Sequence, residues 1–594
     1  MKQSLLILGI LLSTTTVFAQ FGGGTGTAED PYQIWNKSHW DELADSYNVW
    51  LEDSIVNTCS DTTGYLGVHF RLMADIDEVI EKCIPYAYNY DTASWEFTEV
   101  YFNGFFHGGG HSINVKINDE FESNGQGRFL FLAIGESAIV DSIEVIGSPV
   151  NFRGIIKNNS GIVRALISNL TEITGLGSYP NLAGICYSNG LGGLLENCTN
   201  KTNFSIETGG SLAGICLSNS GTISYCKNFG NLYMKNGPIG GIVHGNGSGL
   251  VTCCINHGII SSGENPAPNH VGFGGICYCG GQINNCINIG NVSSSIKQTG
   301  GICGTSSNIQ NCANYGIINC TYPENGGISG SVTIHGVIIR NNLNVAKTSN
   351  SAIAASAAYS VIANNFYDKQ MCLSKGIAGE DIPDSAEGKL TTQLTGTSPE
   401  LQAMLGDGWS YAEGRYPIPL GLENDSLALV AATPVYLHFE TEEDYNHVDS
   451  VSKNFTVGLE NNVSWEQANG RVSFSDESVT LINLGFENIT VNLGDYSKKV
   501  RINIVDIETS APIQTIETGI TAYPNPAGEF ISLNLNGINA ERVDVYDITG
   551  KLLSTNNLSS EQTLIFTGNL HSGLYFLKVY DGNRNITILK FTKN

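Results

Sequence analysis

Two histidines in the amino-terminal region are the first residues whose spacing suggests chemistry. His107 and His111 bracket three glycines, and two histidines four residues apart on one helix would indicate zinc. A run of glycines does not form a helix, so we predict a turn between two strands and no metal site. Cys277 and Cys279 are separated by a single residue, which is one too few for a zinc knuckle.

Carboxylates are scarce in the centre of the chain. No Asp lies between Ser142 and Tyr367, where the acidic residues are Glu144, Glu172, Glu196, Glu207, Glu264 and Glu324. A glycosidase needs two carboxylates about 5 to 9.5 Å apart, and none of these glutamates recurs one repeat apart. Calcium-dependent lyases need clustered Asp ligands. Neither kind of site is therefore expected in the central region.

The remaining candidates for chemistry are weaker. Asp75 and Asp77 could bind calcium, although solvation at the surface explains them equally well. The sequence has no Gly-x-Ser-x-Gly element in a strand–turn–helix context. We therefore assign no catalytic, cofactor-binding or metal-binding residue and no cofactor. The sequence favours a non-enzymatic protein and leaves an enzyme as the alternative.

Binding is the more natural use of these residues. The centre of the chain is rich in Asn, Ser, Thr and Tyr, which suit glycan or protein ligands. Four tyrosines could stack on sugars or pack at corners of the fold: Tyr187, Tyr225, Tyr278 and Tyr315. The sequence favours packing at a corner for each of them.

A repeat positions these residues. A Gly-Ile pair recurs at steps of 26 to 34 residues, beginning at residues 184, 214, 241, 275, 301 and 327. A Cys-x-Asn element follows each of the first five pairs, at Cys198–Asn200, Cys226–Asn228, Cys254–Asn256, Cys286–Asn288 and Cys312–Asn314. Such periods are typical of solenoid architectures.

The repeat predicts stacked coils of short strands. Strands this short cannot bury an apolar face alone, but stacked about 4.8 Å apart they pair with the coils above and below. We expect Ile and Cys to point inward, and Gly and Asn to occupy corners where positive φ is cheap. The predicted fold is all-β: a right-handed parallel β-helix followed by two small antiparallel β-sandwich domains.

The cysteines fit this interior. All 15 lie between Cys59 and Cys372, and most occupy repeat positions. We interpret the repeat cysteines as small apolar residues of stacked inward columns. Cys59 and Cys83 lie outside the repeat and form the best candidate disulfide.

The amino terminus and the net charge indicate export and exclude some partners. A cationic start, an apolar run over Leu5–Leu12 and small residues at Val17 and Ala19 are typical of a secretory signal peptide. No later stretch is long and apolar enough to span a membrane. The net charge of −26 argues against nucleic-acid binding.

The first 400 or so residues resemble GLUG-motif β-helix proteins. The opening resembles theirs at Gly24–Gly26, Asp30–Tyr32, Trp40–Leu43, Phe70–Leu72, Asp75–Ile76, Phe102–Gly104 and His111–Ile113. The repeats from Gly184 resemble the GLUG units, and Asn364–Asp368 and Gly408–Pro417 resemble the region that ends such helices. An open stack also needs a cap over its terminal coil, and residues 38–44 predict a short amphipathic helix there with Ser38 as N-cap. Members occur as adhesin-like surface proteins and in extracellular peptidases, so function stays open.

The carboxy-terminal third resembles two other modules. Alternating strands in residues 425–508 resemble bacterial immunoglobulin-like modules, whose usual role is a spacer. The last residues resemble the C-terminal sorting domain of the type IX secretion system at Ala522–Pro526, Val543–Asp547, Thr549–Lys551, Ser572–Phe576 and Lys590–Lys593. That resemblance implies handling by the type IX machinery and a location outside, or on the outer-membrane surface of, a Gram-negative bacterium.

These observations give a domain plan and a function. The predicted segments are a signal peptide (1–19), a cap with the first coils (20–180), the GLUG-like repeats (181–370), a second cap and linker (371–424), the immunoglobulin-like module (425–508) and the sorting domain (515–594). We expect an adhesin-like or ligand-binding protein that recognises an extracellular glycan or protein. An extracellular carbohydrate-active or peptidase-associated enzyme is the alternative.

Overall fold

The structure, a computed structural model, describes residues 21–433, 448–505 and 520–593 with internal gaps. In the first range the gaps are 48, 52–53, 59–62, 85–86, 92–95, 117–128, 150–151, 175–179, 264–271, 296, 306, 333–334, 357–359 and 373. Between 448 and 505 only the backbone of the strands is described, and the last range lacks 536–539, 548–550, 559–561 and 582–585. The predicted signal peptide, Cys59 and Glu264 lie outside the described residues.

The chain divides into two compact units, Met1–Pro434 and Val435–Asn594. In the first unit, parallel strands stack coil upon coil, which confirms the predicted β-helix. Sheet A of this stack has twelve strands: Tyr32–Ile34, His69–Leu72, Phe105–His107, Ile139–Asp141, Ile162–Arg164, Leu194–Glu196, Thr222–Ser224, Leu250–Thr252, Gln282–Asn284, Asn308–Gln310, Ile338–Arg340 and Val361–Ala363.

Sheet B has sixteen strands and is bent into two arms. The long arm contains Phe131–Ile134, Ile156–Asn159, Cys186–Asn189, Cys216–Asn219, Val243–Gly245, Cys277–Cys279, Cys303–Thr305, Ser329–Ser331, Ser351–Ala354 and Lys375–Ile377. The short arm contains Asn181–Ala183, Ser211–Ala213, Ile239–Gly240, Phe273–Gly274, Thr299–Gly300 and Asn325–Gly326.

Two further parallel sheets close the cross-section. Sheet C has twelve strands: Ile76–Ile80, Ser112–Val115, Glu144–Gly147, Ile167–Leu170, Thr199–Asn200, Lys227–Asn228, Ile255–Asn256, Ile287–Asn288, Ala313–Asn314, Leu343–Asn344, Asn365–Asp368 and Ala386–Lys389. Sheet D has six strands: Ile173–Thr174, Phe204–Gly209, Leu232–Asn236, Ile260–Ser262, Val292–Ser294 and Ile318–Cys320.

The stack is held in register by a buried column of asparagines. Asn200, Asn228, Asn256, Asn288, Asn314 and Asn344 are fully buried. From Asn200 to Asn314, each Nδ2 donates to the Oδ1 of the next coil at 2.7–2.8 Å and to a carbonyl two residues on in its own coil. Asn344 Nδ2 ends the column by donating to Cys372 Sγ and the Ala346 carbonyl. The prediction that these asparagines occupy positive-φ corners is therefore wrong. They lie inside because a paired amide is stable there.

The repeat glycines also serve a different purpose from the predicted one. None of the Gly-Ile glycines has a positive φ. A β-carbon on Gly275 would instead lie 2.0 Å from the Gly301 carbonyl oxygen and 2.4 Å from Cγ of Asn288. The glycine is required because the backbone packs directly against the asparagine column. The expectation that these glycines adopt a positive φ at corners is therefore wrong.

Positive φ does occur at one corner, between sheets A and C. The residues there have φ of 50–56°: Ser142, Ala165, Asn197, Tyr225, Cys253, Asn285, Asn311, Asn341 and Asn364. Asparagine tolerates this conformation better than most residues, which explains its frequency in the column. Tyr225 and Cys253 adopt it as well, because the coil on either side holds the corner.

The repeat cysteines line the interior as predicted. Cys198, Cys226, Cys254, Cys286 and Cys312 form one fully buried column, and Cys186, Cys216, Cys277 and Cys303 belong to a second. All nine are unoxidised thiols in the structure. The Cys226 thiol donates to the Ser224 and Leu195 carbonyls at 3.4 and 3.6 Å. The predicted Cys59–Cys83 disulfide stays a prediction, because Cys59 is not described.

A helix, Lys37–Asp45, lies against the amino-terminal coils. Its cap is Asn36, whose side chain accepts from the His39 amide at 3.2 Å, so the predicted N-cap at Ser38 is wrong. Trp40 is fully buried, and its ring lies 5.8 Å from Phe106 and 5.9 Å from Phe131. The predicted strand–turn–strand across the glycines is confirmed by the strands Phe105–His107 and Ser112–Val115.

Several short elements complete the first unit. The hairpins are Val49–Leu51 with Ser54–Thr58, Ala87–Asp91 with Glu96–Val100, and Trp409–Ser410 with Ile418–Pro419. The later helices are Lys369–Cys372, Thr391–Gln393 (3-10), Pro399–Leu405 and Ser426–Ala432. The last helix lies in the segment that we assigned to the start of the immunoglobulin-like module.

The second unit is built from small sheets that are antiparallel except for one pair. One sheet contains Val448–Asp449, Tyr496–Val505, Gly485–Leu493 and Val463–Gln467, and another Asn454–Thr456, Ser478–Leu481 and Val472–Ser475. The strands Thr521–Tyr523, Phe530–Asn534 and Gln562–Phe566 form a third sheet, and Leu552–Asn557, Ala540–Asp547, Gly573–Asp581 and Ile586–Lys593 form a fourth. Ile531 and Ile565 of the third sheet share a buried core with Val543, Leu577 and Phe591 of the fourth.

Replacing Asn256 by alanine tests the asparagine column. The change removes the acceptor of Asn228 and the donor to Asn288, and it leaves a hole in the interior. We expect a loss of about 2–4 kcal/mol in unfolding free energy, measured by denaturant unfolding of the mature chain. Asn284→Ala is the matched control in the next coil, because its half-exposed side chain belongs to an outer column. Equal destabilisation by the two variants would contradict the role of the column.

Candidate functional site

Charged side chains line one outer column of sheet A. The parallel register aligns the third residue of each strand, which points outward, on successive coils: Arg71, His107, Asp141, Arg164 and Glu196. Neighbouring coils are about 4.8 Å apart, so each of these positions lies beside the next one along the column. The register thus brings together residues that are far apart in sequence.

Hydrogen bonds link the amino-terminal part of this column. His107 Nδ1 lies 3.1 Å from Asp141 Oδ2, and Arg164 donates to the same carboxylate oxygen at 3.2 Å. His69 Nδ1 lies 3.2 Å from His107 Nε2, which extends the chain to the edge of the strand. Burial and the neighbouring His107 lower the pKa of His69 below its usual value. A carboxylate and two imidazoles in line can hold or pass a proton.

An apolar stripe runs beside the charged column. The first residue of each strand also points outward, and on four successive coils it is apolar and half-buried: Phe105, Ile139, Ile162 and Leu194. The ring of His69 stacks on Phe105, with centroids 4.4 Å apart. This outer face of sheet A therefore offers apolar contact and charge side by side along the stack, which suits a ligand extended over several coils.

The two predicted candidate histidines do not share a site. His107 contacts Asp141, whereas His111 Nδ1 lies 3.2 Å from Asp75 Oδ1. Hydrogen bonds from the Ser112 amide and His111 lower the pKa of Asp75. In the part of the chain that the structure describes, no group of three or more His, Cys, Asp or Glu residues could hold a metal ion.

The four candidate tyrosines are also dispersed. Tyr187 and Tyr278 lie in the bend of sheet B, where Tyr187 packs on Ala183 and Ala213. Tyr225 is exposed at the corner between sheets A and C. Tyr315 is half-buried and its ring lies 6.2 Å from that of Tyr416; its buried hydroxyl has no hydrogen-bond partner among the described residues. They do not form a common platform for a sugar.

Residues 408–425 cover the corner beside Tyr225. Trp409 Nε1 donates to the Asn341 carbonyl at 3.2 Å, and Asn285 Nδ2 donates to the Leu420 carbonyl at 2.9 Å. Lys227 forms an ion pair with Asp425 further along the same edge. The contacts with the β-helix therefore extend at least to Asp425. This edge is closed to ligands, whereas sheet A is open.

A histidine whose Nε2 atom is buried lies on the outer side of the bend in sheet B. His244 follows Leu217 in the column of Tyr187 and Tyr278, and its ring lies 5.2 Å from that of Tyr278. This Nε2 has no hydrogen-bond partner in the described part of the chain. Burial lowers the pKa of His244 to about 4, and a hydrogen bond with the Leu217 backbone only partly opposes this.

Sequence reasoning missed His69, Asp141 and Arg164. Asp141 lies just outside the Asp-free interval, and its partners are separated from it by 34 and 23 residues. The alternating pattern of Phe105–His107, Ile139–Asp141 and Ile162–Arg164 is the signal that could have aligned them. These coils precede the Gly-Ile repeats that begin at residue 184, so the spacing of those repeats does not align the three strands.

One comparison with known proteins gives a match. Residues 521–593 match the family model described as the secretion system C-terminal sorting domain. No curated protein matches the chain in sequence. The chain thus carries a sorting domain, which indicates export by the type IX secretion system and a cell-surface or extracellular location. No helix in the described part of the chain is long and apolar enough to cross a membrane.

The sorting domain exposes an apolar face. Phe530, Leu564, Phe566 and Tyr523 lie on the outer side of its three-stranded sheet and are 45–66% exposed. Phe530 and Phe566 are paired across the sheet, with ring centroids 5.3 Å apart. Contiguous exposed apolar side chains of this kind mark protein interaction sites. We refer to these four residues as the apolar face of the sorting domain.

His244 predicts a pH dependence of stability. Its folded pKa lies below its unfolded value of about 6.5, so the unfolded chain binds the proton first as pH falls. Stability is therefore complete above pH 6.5 and falls by up to about 3 kcal/mol as the pH drops towards 4. His244→Leu, which copies Leu217, should reduce this loss in calorimetric unfolding scans between pH 7 and 4.5. His335→Gln is the exposed control, and an unchanged slope in His244→Leu would refute the assignment.

Proposed function

We propose that this protein is an adhesin-like surface or secreted protein that binds an extracellular glycan or protein along the outer face of sheet A. The observation that carries the proposal is the apolar stripe of Phe105 to Leu194 beside the charged column of His107 to Glu196. Both extend over consecutive coils of a rigid stack. The sorting domain supports a role outside the cell, on the outer-membrane surface of a Gram-negative bacterium or released from it.

The remaining modules are proposed from the resemblances. The repeats from Gly184 are GLUG-type units, and the strands between Val448 and Val505 form an immunoglobulin-like spacer. In support, the central coils place the Gly-Ile and Cys-x-Asn elements at equivalent positions. The proposed boundaries are those of the domain plan: 20–180, 181–370, 371–424, 425–508 and 515–594.

A carbohydrate-active enzyme is the second candidate, and one observation favours it. Asp141 and Glu196 lie two coils apart in the same outer column, with Arg164 between them. Two coils correspond to roughly 10 Å at the backbone. Inverting glycosidases hold their two carboxyl groups about 6.5–9.5 Å apart. Asp141 is largely buried and already bonded to His107 and Arg164, which favours binding over catalysis.

Export by the sorting domain predicts a clear phenotype. Removal of residues 515–594 should leave the protein in the periplasm of a host that has a type IX system, measured by fractionation and immunoblotting. Phe530→Ser combined with Phe566→Ser should reduce export severalfold, because the apolar face loses its two central rings. Leu552→Ser with Leu553→Ser on the other sheet is the control. Normal export of the truncated chain would refute this role.

Binding and catalysis are separated by one pair of assays on residues 20–510. We expect retention of the protein on particular glycans of an array and no release of reducing ends from polysaccharides. Ile162→Asp with Leu194→Asp should abolish retention, because the charges break the apolar stripe without touching the interior. Exposed Leu191→Asp, which lies in a turn, is the control.

The opposite result identifies the second candidate. Reducing ends released by the wild type, and lost in Asp141→Asn and in Glu196→Gln, would establish an enzyme and overturn the binding proposal. Retention that survives the change at Ile162 and Leu194 would exclude sheet A as the binding face.

A further inference from the structure

The bend in sheet B forms a groove on the outside of the stack. The two arms of the sheet face each other across it, and along most of its length side chains fill the space. Tyr187 and Leu217 of the long arm pack on Ala183 and Ala213 of the short arm as a cluster separate from the main core. His244 and Tyr278 continue the same column. The groove is therefore closed over these coils.

Glycines close the next two coils by direct backbone contact. A β-carbon on Gly304 would lie 3.0 Å from the Gln298 carbonyl oxygen, and one on Gly330 would lie 2.6 Å from the Thr299 amide. Gly304 and Gly330 belong to the long arm, whereas Gln298 and Thr299 start the short arm. The two arms thus touch here and leave no space for a ligand.

The groove opens at the coil that follows Gly330. The strand Ser351–Ala354 pairs with both arms, with Gly326 of the short arm and Ser329 of the long arm. A single strand replaces the bent pair at this coil. A cavity of about 470 Å³ lies there, lined by Pro323, Glu324, Ser331, Asn350, Ala355, Ser356 and Ala378. This volume is in the range of small-molecule sites.

The polar groups of the cavity retain hydrogen-bonding capacity. Among the described residues, the Glu324 carboxylate and the Ser331 hydroxyl have no hydrogen-bond or ion-pair partner. Asn350 donates from Nδ2 to the Pro323 carbonyl, and its Oδ1 is unpaired. Ser356 exchanges hydrogen bonds with the Val332 backbone at 3.3 and 3.5 Å. The cavity therefore presents mostly acceptors, one of them charged.

This lining selects the chemistry of the ligand. Pro323, Ala355 and Ala378 give an apolar wall for C–H groups, while Glu324, Ser331 and Asn350 accept from hydroxyls. The carboxylate repels anionic sugars such as uronic acids. In the described part of the chain no further His, Cys, Asp or Glu completes a metal site. A neutral, hydroxyl-rich molecule fits all three conditions.

We propose that this cavity binds a neutral sugar residue of an extracellular glycan, with Glu324 as the charged acceptor. The proposal rests on the proposed ligand-binding function and adds a second, terminal site to it. The outer face of sheet A provides extended contact, whereas the cavity takes one end of a chain or a branch. Glu324 contacts the sugar hydroxyls and orients them.

The test uses the mature full chain with defined sugars. Maltose, cellobiose, lactose and diacetylchitobiose are titrated by calorimetry and saturation-transfer NMR, with digalacturonic acid as the anionic probe and a lysine-rich peptide as the cationic one. We expect at least one neutral disaccharide to bind at millimolar concentration. Glu324→Gln should weaken it about tenfold or more, because a charged acceptor is lost. Ala355→Leu should abolish binding by filling the cavity.

Controls keep the outcomes distinct. Glu172→Gln changes an exposed glutamate elsewhere on the stack and should leave affinity unchanged, and thermal unfolding scans verify that each variant folds. Neutral-sugar binding that Glu324→Gln and Ala355→Leu leave intact would overturn the cavity site while the proposed function stands. Failure of every neutral probe, or tighter binding of digalacturonic acid or the peptide, would also overturn it. Loss of glycan-array retention by Ile162→Asp with Leu194→Asp tests the proposed function separately.

Discussion

The hydrogen bond between buried amides of neighbouring coils is the interaction on which the rest of the structure depends. Each asparagine of the column satisfies its donor and acceptor only when the next coil is in register, at 2.7–2.8 Å. A slip by one residue would bury unpaired amides, which costs far more than a loose apolar contact. Apolar columns also oppose such a slip, because it would turn their inward side chains to the outer face, but they lack polar groups that must be paired. The asparagines therefore define the stacking that every outer column inherits.

Register is also what creates chemistry on the surface. An outward position of one coil can change without disturbing the interior, so outer columns vary while inner ones repeat. Asp141 meets His107 and Arg164 only because three strands are aligned, although 34 and 23 residues separate them in sequence. The cavity arises where this regular stacking ends. It lies at the coil where the strand Ser351–Ala354 stops following the bend, so the end of the periodicity leaves the space.

The interior was predictable from sequence and the surface was not. The Gly-Ile and Cys-x-Asn spacings identify the coils from residue 184 onward, because a column must repeat the same residue type to stay packed. The earlier coils place Ser168, Val145 and Ile113 at the positions that align with Asn200, so the Cys-x-Asn element is absent from them. The purpose of the glycines was also misread. Glycine is needed both where φ is positive and where another backbone or side chain comes too close for a β-carbon. The sequence does not distinguish these two needs, whereas the structure places Gly275 directly against Asn288.

The thiol columns show how burial replaces covalent cross-links in an exported chain. Secreted proteins meet oxidising surroundings, where exposed cysteines form disulfides or become oxidised. Oxidation proceeds through the thiolate, and burial raises the pKa of Cys226, Cys254 and Cys286 well above the usual value. Each of these thiols donates to backbone carbonyls in its own coil and the preceding one. The same stacking that aligns the sulfurs thus keeps them protonated and away from solvent, so aligned cysteines persist as packing residues.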